Sequence, residues 1–260
     1  PSFFAEANKR GAFEALDSGN WKNHEELSKA SGQYFAYPHV VTPFAYTFVP
    51  VWNSACPGME NFKVESYADV IGPALKGKTI SSDLTKSLTY TNTVIALEEA
   101  GTMDFKKFWV ALKATEPLVE FRTEPKMQMV IDCSRPLDMW NLGGRAFQNV
   151  VKQASLAKTI KTGTYKEGQV VLGNQAAVLK GAPHPAAGKL FIEFLLTKAG
   201  TDAYMAGEAI NTFLKGYEPP AEIRQWYVDL SKVKPLGLKD WVNTADAVKR
   251  VRGDWEASFK

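Results

Sequence analysis

The segment that most limits the fold of this chain runs from residue 167 to residue 200. Its first half contains two short apolar runs, 170–172 and 176–179, that have the length of β-strands. A Gly-Ala-Pro-His-Pro turn follows at 181–185. This order predicts a strand that ends in a sharp turn.

The second half of the segment predicts an amphipathic helix. Pro185 suits the first helical turn, where a missing N–H costs little. Lys198 and Gly200 have the charge and the flexibility expected in the last turn and just beyond it. The apolar residues between them have the three-and-four spacing of a core-facing stripe: Ala187, Leu190, Phe191, Phe194 and Leu195. A strand packed on a helix predicts an α/β domain.

Apolar periodicity elsewhere predicts further alternation of strands and helices. We expect mostly helical structure after Gly200, and an edge or strand-end position for Pro50. The predicted strands are 46–52, 79–83, 127–133 and 168–179, and the predicted helices are 3–16, 67–75, 88–100, 104–114 and part of 141–158.

Three passages resemble the extracellular solute-binding proteins of bacterial ABC importers, in the group that carries ferric iron or small organic ligands. The longest is 180–196, KGAPHPAAGKLFIEFLL, which departs from the family pattern at Gly188 and is followed by Thr197 where the family has Ser. The passage 45–54 resembles a family strand that ends in an aromatic residue and Asn. The passage 76–87 resembles a Gly-Lys-Ile…Asp-Pro…Ser run, with Leu84 in place of the proline.

This resemblance implies an α/β, two-lobed, periplasmic-binding-protein-like architecture with a hinge and an interlobe cleft. We expect lobe 1 to comprise residues 1–78 and 173–260, and lobe 2 to comprise residues 79–172. The resemblance also implies a small-molecule ligand, an ABC permease and its ATPase as partners, a monomer, and a periplasmic or extracellular location. The family opens with a strand–helix–strand unit that precedes the part matched by residues 1–4, so we expect such a unit and a signal peptide to be missing from these 260 residues.

The first predicted binding segment is the strand end and helix start at 81–87. Unpaired backbone N–H groups and the positive end of the helix dipole favour an anion there. The predicted ligand-binding residues in it are Ser81, Ser82, Asp83, Thr85 and Ser87. Asp83 could instead hold a cation, and Thr85 or Ser87 could be no more than a helix N-cap.

Arginine and aromatic residues supply the remaining candidates. Trp140 offers a flat face, and Arg122 and Arg145 could each make a bidentate contact with an anionic group, although a surface salt bridge is the commoner fate of an arginine. Tyr46 and Asn174 complete the predicted ligand-binding set.

The same residue patterns argue against several other functions. Iron binding in the family uses a neighbouring tyrosine pair, and this sequence has no Tyr-Tyr, so a small organic anion ranks above ferric iron. We find no GxSxG, HExxH or Walker motif, and we predict no enzyme, no metal site and no cofactor. A formal charge of +3 without a basic block predicts no nucleic-acid partner. The alternatives are a ferric-iron-binding protein of the same family, or an enzyme or ligand-sensing domain on the same architecture.

The two cysteines, Cys56 and Cys133, could pair in an exported protein. The lobe division above puts them in different lobes, where a bridge would lock the hinge. We therefore expect two free thiols.

Overall fold

A computed structural model describes residues 2–30, 34–208 and 210–259 of the chain. The predicted alternation of strands and helices is confirmed in outline. The helices are α1 Ser2–Lys9, α2 Lys22–Ala30, α3 Leu88–Glu99, α4 Phe105–Ala114, α5 Thr123–Ile131, α6 Gly143–Lys152, α7 Pro185–Leu195, α8 Lys198–Glu208 and α9 Ala245–Phe259. The strands are β1 Val41–Tyr46, β2 Val49–Asn53, β3 Thr79–Ser81, β4 Leu118–Val119, β5 Leu137–Asn141, β6 Ile160–Thr162, β7 Gln169–Val170, β8 Leu172–Ala176, β9 Asn211–Thr212 and β10 Pro235–Leu236.

The described strands form two main sheets and a small one. The larger sheet has the order β4-β3-β5-β2-β6, in which β4, β3 and β5 are parallel, and β2 runs antiparallel to both β5 and β6. The second sheet has the antiparallel order β8-β1-β9. β10 and β7 pair in parallel as a two-stranded sheet.

Helices cover both faces of the five-stranded sheet, as a buried parallel sheet requires. One face packs against α3, α4 and α9 through a core rich in aromatic rings, such as Tyr90, Trp109 and Trp255. The other face packs against α5 and α6, which contribute Met127 and Phe147 to a second core cluster. The sheet is therefore the rigid centre of this part of the molecule.

The first 78 residues supply strands to both main sheets. β1 lies in the three-stranded sheet, whereas β2 lies in the five-stranded sheet beside β5. The chain passes from one sheet to the other at Thr47 and Phe48, and it returns between β6 and β8.

The expectation of free thiols is wrong, because Cys56 and Cys133 form a disulfide with a Cα–Cα distance of 5.5 Å. They are close because β2 pairs with β5 in the same sheet, so that the end of β2 lies beside the end of α5. The Asn53 side-chain amide reinforces this junction by donating to the carbonyls of Val130 and Ile131, both at 3.2 Å.

Several secondary-structure predictions are wrong. The helix predicted over 3–16 ends at Lys9, the stretches 46–52 and 168–179 each divide between two sheets, and most of 213–244 is irregular rather than helical. Residues 127–133, predicted as a strand, belong to helix α5 and the turn after it. Lys198 and Gly200 do not end the α7 helix, since Lys198 begins α8 and Gly200 is buried within it. The short apolar run at 127–131 has no strand-length alternation, and helix packing on the sheet decides its conformation.

The predicted stripe on α7 is also corrected. Leu190, Phe191 and Phe194 are 71%, 60% and 43% exposed, whereas Ile192 and Leu196 are buried against Leu16 and Val178. The spacing predicts an apolar face, but only the tertiary structure shows which side chains meet a neighbour.

Within the described residues, no helix combines the length and the apolar character needed to cross a membrane.

Candidate functional site

The candidate site lies where the parallel strands of the larger sheet end. β3, β4 and β5 each lead directly into a helix: α3, α5 and α6 respectively. Because the carboxyl ends of parallel strands share one edge of a sheet, the N-termini of these three helices meet at that edge. A cleft of about 600 Å³ opens there. Its lining residues are Tyr46, Phe48, Ser87, Thr89, Tyr90, Phe121, Arg122, Thr123, Glu124, Pro125 and Leu142.

The helix N-termini at the cleft lack a capping side chain. The residues at the N-cap positions of α5 and α6 are Arg122 and Leu142, whose side chains carry no hydrogen-bond acceptor. At α3, the Ser87 hydroxyl hydrogen-bonds to Thr89 Oγ1 at 2.8 Å and caps no backbone N–H. By contrast, the Asp104 carboxylate caps α4 by accepting from the Lys107 N–H at 3.3 Å. The α5 N-terminus already has carboxylates beside it, since Glu120 Oε1 accepts from the Phe121 and Arg122 N–H groups, both at 2.9 Å, and Glu124 lies in its first turn. The uncapped start of α3 is therefore the part of the backbone best suited to an external anion.

A fully buried ion pair lies directly beneath the cleft wall. Lys126 Nζ donates to Asp138 Oδ1 at 3.0 Å, to Ser82 Oγ at 2.9 Å and to the Trp140 carbonyl. Its ammonium also lies 5.0 Å from the centre of the Tyr90 ring. Burial by itself would lower the pKa of Lys126, but the charge of Asp138 and the contact with Tyr90 outweigh it and raise the pKa. We call Lys126, Asp138, Ser82 and Trp140 the buried ammonium cluster.

Three of the predicted binding residues line the cleft: Tyr46, Ser87 and Arg122. The Arg122 guanidinium donates to both carboxylate oxygens of Glu120, at 3.0 and 2.7 Å. These hydrogen bonds lower the pKa of Glu120 from 4.5 to about 2. Burial raises the pKa of Tyr46, so its hydroxyl stays protonated at neutral pH.

The other members of the 81–87 segment have structural surroundings. Ser81 and Ser82 are buried, and Ser82 belongs to the buried ammonium cluster. Asp83 Oδ1 accepts from the Thr85 N–H at 2.9 Å and from the Thr85 hydroxyl at 2.6 Å, which closes a local turn. None of these four residues lines the cleft.

Trp140, Arg145 and Asn174 also lie outside the cleft lining. The Trp140 ring is 0% exposed and donates to the Tyr67 hydroxyl at 2.9 Å, so the expected flat binding face is inside the core. Arg145 lies 3.5 Å from the Glu124 carboxylate and donates to Gln148 at 2.6 Å. Asn174 is half-buried in β8 opposite Phe44.

Sequence reasoning missed most of the aromatic wall and the start of α5. Phe48, Tyr90 and Phe121 line the cleft, as do Thr123 and Glu124. For Phe121 and the start of α5, the available signal was their position just after strand β4. It was hidden because 127–133 was predicted as a strand, which left no helix beginning at Thr123.

A second groove, of about 470 Å³, lies on the other main sheet. It is bounded by the start of α2 and by residues 212–218 and 227–231. Its wall combines Lys22, Lys215, Glu26 and Asp229 with the rings of Tyr217 and Tyr227. No carboxyl end of a described parallel strand points into this groove, so we regard the cleft at the larger sheet as the candidate site.

Comparison with solved structures identifies the fold. The chain aligns with the periplasmic binding protein AfuA from Actinobacillus pleuropneumoniae, bound to exogenous fructose-6-phosphate, over 97% of this chain and 78% of that one, at 17% identity and a TM-score of 0.69. Iron-bound HitA from Pseudomonas aeruginosa aligns with the same coverage at 16% identity and a TM-score of 0.70. A periplasmic thiamin binding protein aligns over 100% of this chain and 76% of that one, at 13% identity and a TM-score of 0.66.

The chain therefore has the two-lobed α/β fold of type 2 periplasmic binding proteins of ABC transporters, as its sequence passages predicted. No protein-family model and no curated protein sequence matches it.

Proposed function

We propose that this protein is the solute-binding component of an ABC importer, and that it captures a small organic anion in the cleft at the carboxyl edge of the five-stranded sheet. The observation that carries the choice of an anion is that α3 and α5 both begin at one cleft and that no side chain caps either helix. Each contributes partial positive charge, and backbone donors need no reorganisation when the ligand arrives.

Arg122 supplies a formal positive charge at the same place. Its side chain is exposed and paired with Glu120. The guanidinium is 61% exposed, whereas Glu120 is only 14% exposed and is also held by the Phe121 and Arg122 N–H groups. The guanidinium can therefore turn part of its donors to a ligand oxygen while Glu120 keeps its backbone hydrogen bonds. The ligand-bound neighbour AfuA carries a sugar phosphate, an anion of the size that a cleft of about 600 Å³ admits.

We further propose that the two sheets belong to two lobes joined by a hinge. The crossings between the sheets then fall at Thr47–Phe48 and within 163–171, and Tyr46 in β1 brings the first lobe to the cleft wall. A ligand shifts the equilibrium between the open and closed forms only if it binds one of them more tightly. A ligand that contacts both lobes binds the closed form more tightly and therefore favours it. The closed monomer is then recognised by a membrane permease and its ATPase in the periplasm or outside the cell, and no bond is made or broken.

Native mass spectrometry of the purified protein tests the proposal. We expect a small anion that stays bound under native conditions and leaves on denaturation. Bound iron would contradict the organic-anion assignment and support the ferric alternative. If the protein carries no ligand, and isothermal titration detects no binding of phosphate, phenyl phosphate or benzoate, the proposed function is wrong.

A charge placed at the α3 N-terminus tests the site itself. Ser87→Asp adds a carboxylate that can cap α3, so stability should stay equal or rise while anion affinity falls at least about tenfold through like-charge repulsion. Ser87→Asn is the matched control, because it offers a neutral cap of the same size and should keep the affinity. Equal affinity in both variants would move the anion site elsewhere.

A further inference from the structure

The cleft wall has a polar end and an aromatic end. The polar end is the start of α3, where Ser87, Thr89 and Tyr46 share hydrogen bonds among their hydroxyls. The aromatic end is formed by Phe48, Tyr90 and Phe121, with Pro125 and Leu142 beside them. Because the hydroxyls at the start of α3 already bond to one another, they offer a ligand few free hydrogen-bonding partners.

The rings of the wall are held in place by the core. Phe48 and Tyr90 stack with their centroids 4.3 Å apart, and Tyr46 meets Phe48 edge to face at 5.9 Å. The Tyr90 hydroxyl donates to the Phe121 carbonyl at 3.2 Å, which ties α3 to the segment before α5. Rings held in this way present a flat apolar surface at little entropic cost on binding.

Three basic groups lie near these rings, and two of them are paired with carboxylates. Lys86 Nζ and Arg122 Cζ each lie 5.9 Å from the centre of the Phe121 ring, and Lys126 Nζ lies 5.0 Å from that of Tyr90. Arg122 is paired with Glu120 and Lys126 with Asp138, and the Glu124 carboxylate also lines the cleft. These pairs leave little net charge over the rings, which suits an uncharged ring on the ligand better than a cation or a second anion.

We infer that the captured anion carries an aromatic ring, which packs against Tyr46 and Phe121 while its anionic group meets the helix N-termini. Phe48 and Tyr90, which are 6% and 2% exposed, support these two residues from the core. This inference rests on the proposed function and names the ligand class of the same site. It makes Tyr46 and Phe121 determinants of specificity.

Matched probes test the inference. We would titrate the protein with phenyl phosphate and cyclohexyl phosphate, and with benzoate and cyclohexanecarboxylate, so that the anionic group is constant and only the ring changes. We expect the aromatic member of the better-binding pair to bind about fivefold more tightly, the size expected for aromatic packing. Equal or weaker binding of the aromatic probe overturns the ring assignment, although the anion proposal stands.

Two variants test whether Phe121 causes the preference for the aromatic probe. Phe121→Leu should bring the aromatic-to-saturated affinity ratio close to one, because leucine keeps an apolar surface but no ring. The control Phe191→Leu, on the exposed surface of α7 outside the cleft, should keep the wild-type ratio. If Phe121→Leu unfolds, Tyr46→Leu against Tyr46→Phe gives the same comparison, since only the second keeps a ring.

The remaining outcomes separate the two proposals. Binding of tetramethylammonium with no binding of any anion would show an aromatic cage for cations and would overturn both. If the aromatic-to-saturated affinity ratio of about five persists in both Phe121→Leu and Tyr46→Leu, the ring of the ligand lies away from this wall. That result would overturn the inference and leave the anion proposal standing.

Discussion

Two ion pairs lie within one region of the molecule, beside the ends of the parallel strands, and they differ chiefly in their exposure to water. Lys126 and Asp138 are both 0% exposed, with further contacts to Ser82 and the Trp140 carbonyl. Arg122 and Glu120 lie at the cleft, where the arginine side chain is 61% exposed. Both pairs have short charge-assisted hydrogen bonds, so geometry alone does not distinguish them.

The difference in burial assigns them different roles. A buried ammonium has no alternative partner, so the Lys126 pair fixes the positions of β3, β5 and α5 relative to one another. The Arg122 guanidinium is in contact with water and can turn part of its donors to a ligand at little cost, whereas Glu120 is only 14% exposed and stays hydrogen-bonded to the backbone. We therefore expect changes in the buried ammonium cluster to lower stability, and changes in the cleft wall to lower ligand affinity.

The largest expected effect is that of Lys126→Met. It leaves Asp138 as an unpaired buried charge, and we expect a loss of about 3–5 kcal/mol in the free energy of unfolding. Urea denaturation followed by circular dichroism measures it. The double variant Lys126→Met/Asp138→Leu should recover part of the loss, and a loss below about 1 kcal/mol in the single variant would contradict the assigned role.

The disulfide lies at the edge of the sheet opposite the cleft. Its removal tests whether stability can be lowered there without a change in anion affinity. Replacing both Cys56 and Cys133 by Ser removes a cross-link between residues 77 positions apart, with an expected loss of about 2–4 kcal/mol. Anion affinity, measured by calorimetry at a temperature where the variant is folded, should stay at the wild-type value. A parallel loss of affinity would show that the two edges are coupled.

Two serines from the same predicted segment provide a direct comparison. Ser82→Ala removes an acceptor from the buried ammonium and should cost about 1–3 kcal/mol of stability. Ser87→Ala should change stability by no more than about 0.5 kcal/mol, because Ser87 lies at the cleft and caps no backbone group. If urea unfolding shows equal losses of stability in both variants, the distinction between the cleft wall and the buried ammonium cluster is wrong.

The smallest effect is the pH dependence of the exposed pair. The pKa of Glu120 is lowered to about 2 in the folded protein, so its contribution to stability is complete above its ordinary value of 4.5 and is lost as the pH falls toward 2. The stability difference between wild type and Glu120→Gln should therefore be constant above pH 4.5 and shrink below it. A difference that grows on acidification would have the wrong sign.

Of the ten residues that the sequence proposed for the site, three line the cleft and seven do not. The sequence did locate the strand at 79–81 and the start of α3, because those signals are local. The sequence could not show that the Ser82 hydroxyl is buried and that the Ser87 hydroxyl lies at the cleft, because this difference depends on the pairing of β3 with β5. Trp140 was misjudged for the same reason, because a side chain on a central strand lies in the core.

The sequence by itself determined the α/β class, most element boundaries from 79 to 114, the start of α7 at Pro185, and a passage typical of the solute-binding fold. These follow from periodicity, caps and turn residues, which act over a few neighbouring positions. Only the tertiary structure decided that Cys56 meets Cys133, that α5 is a helix, and that Lys126 pairs with Asp138. Each of these depends on the order of strands in one sheet, which brings distant segments together and is encoded by no local pattern.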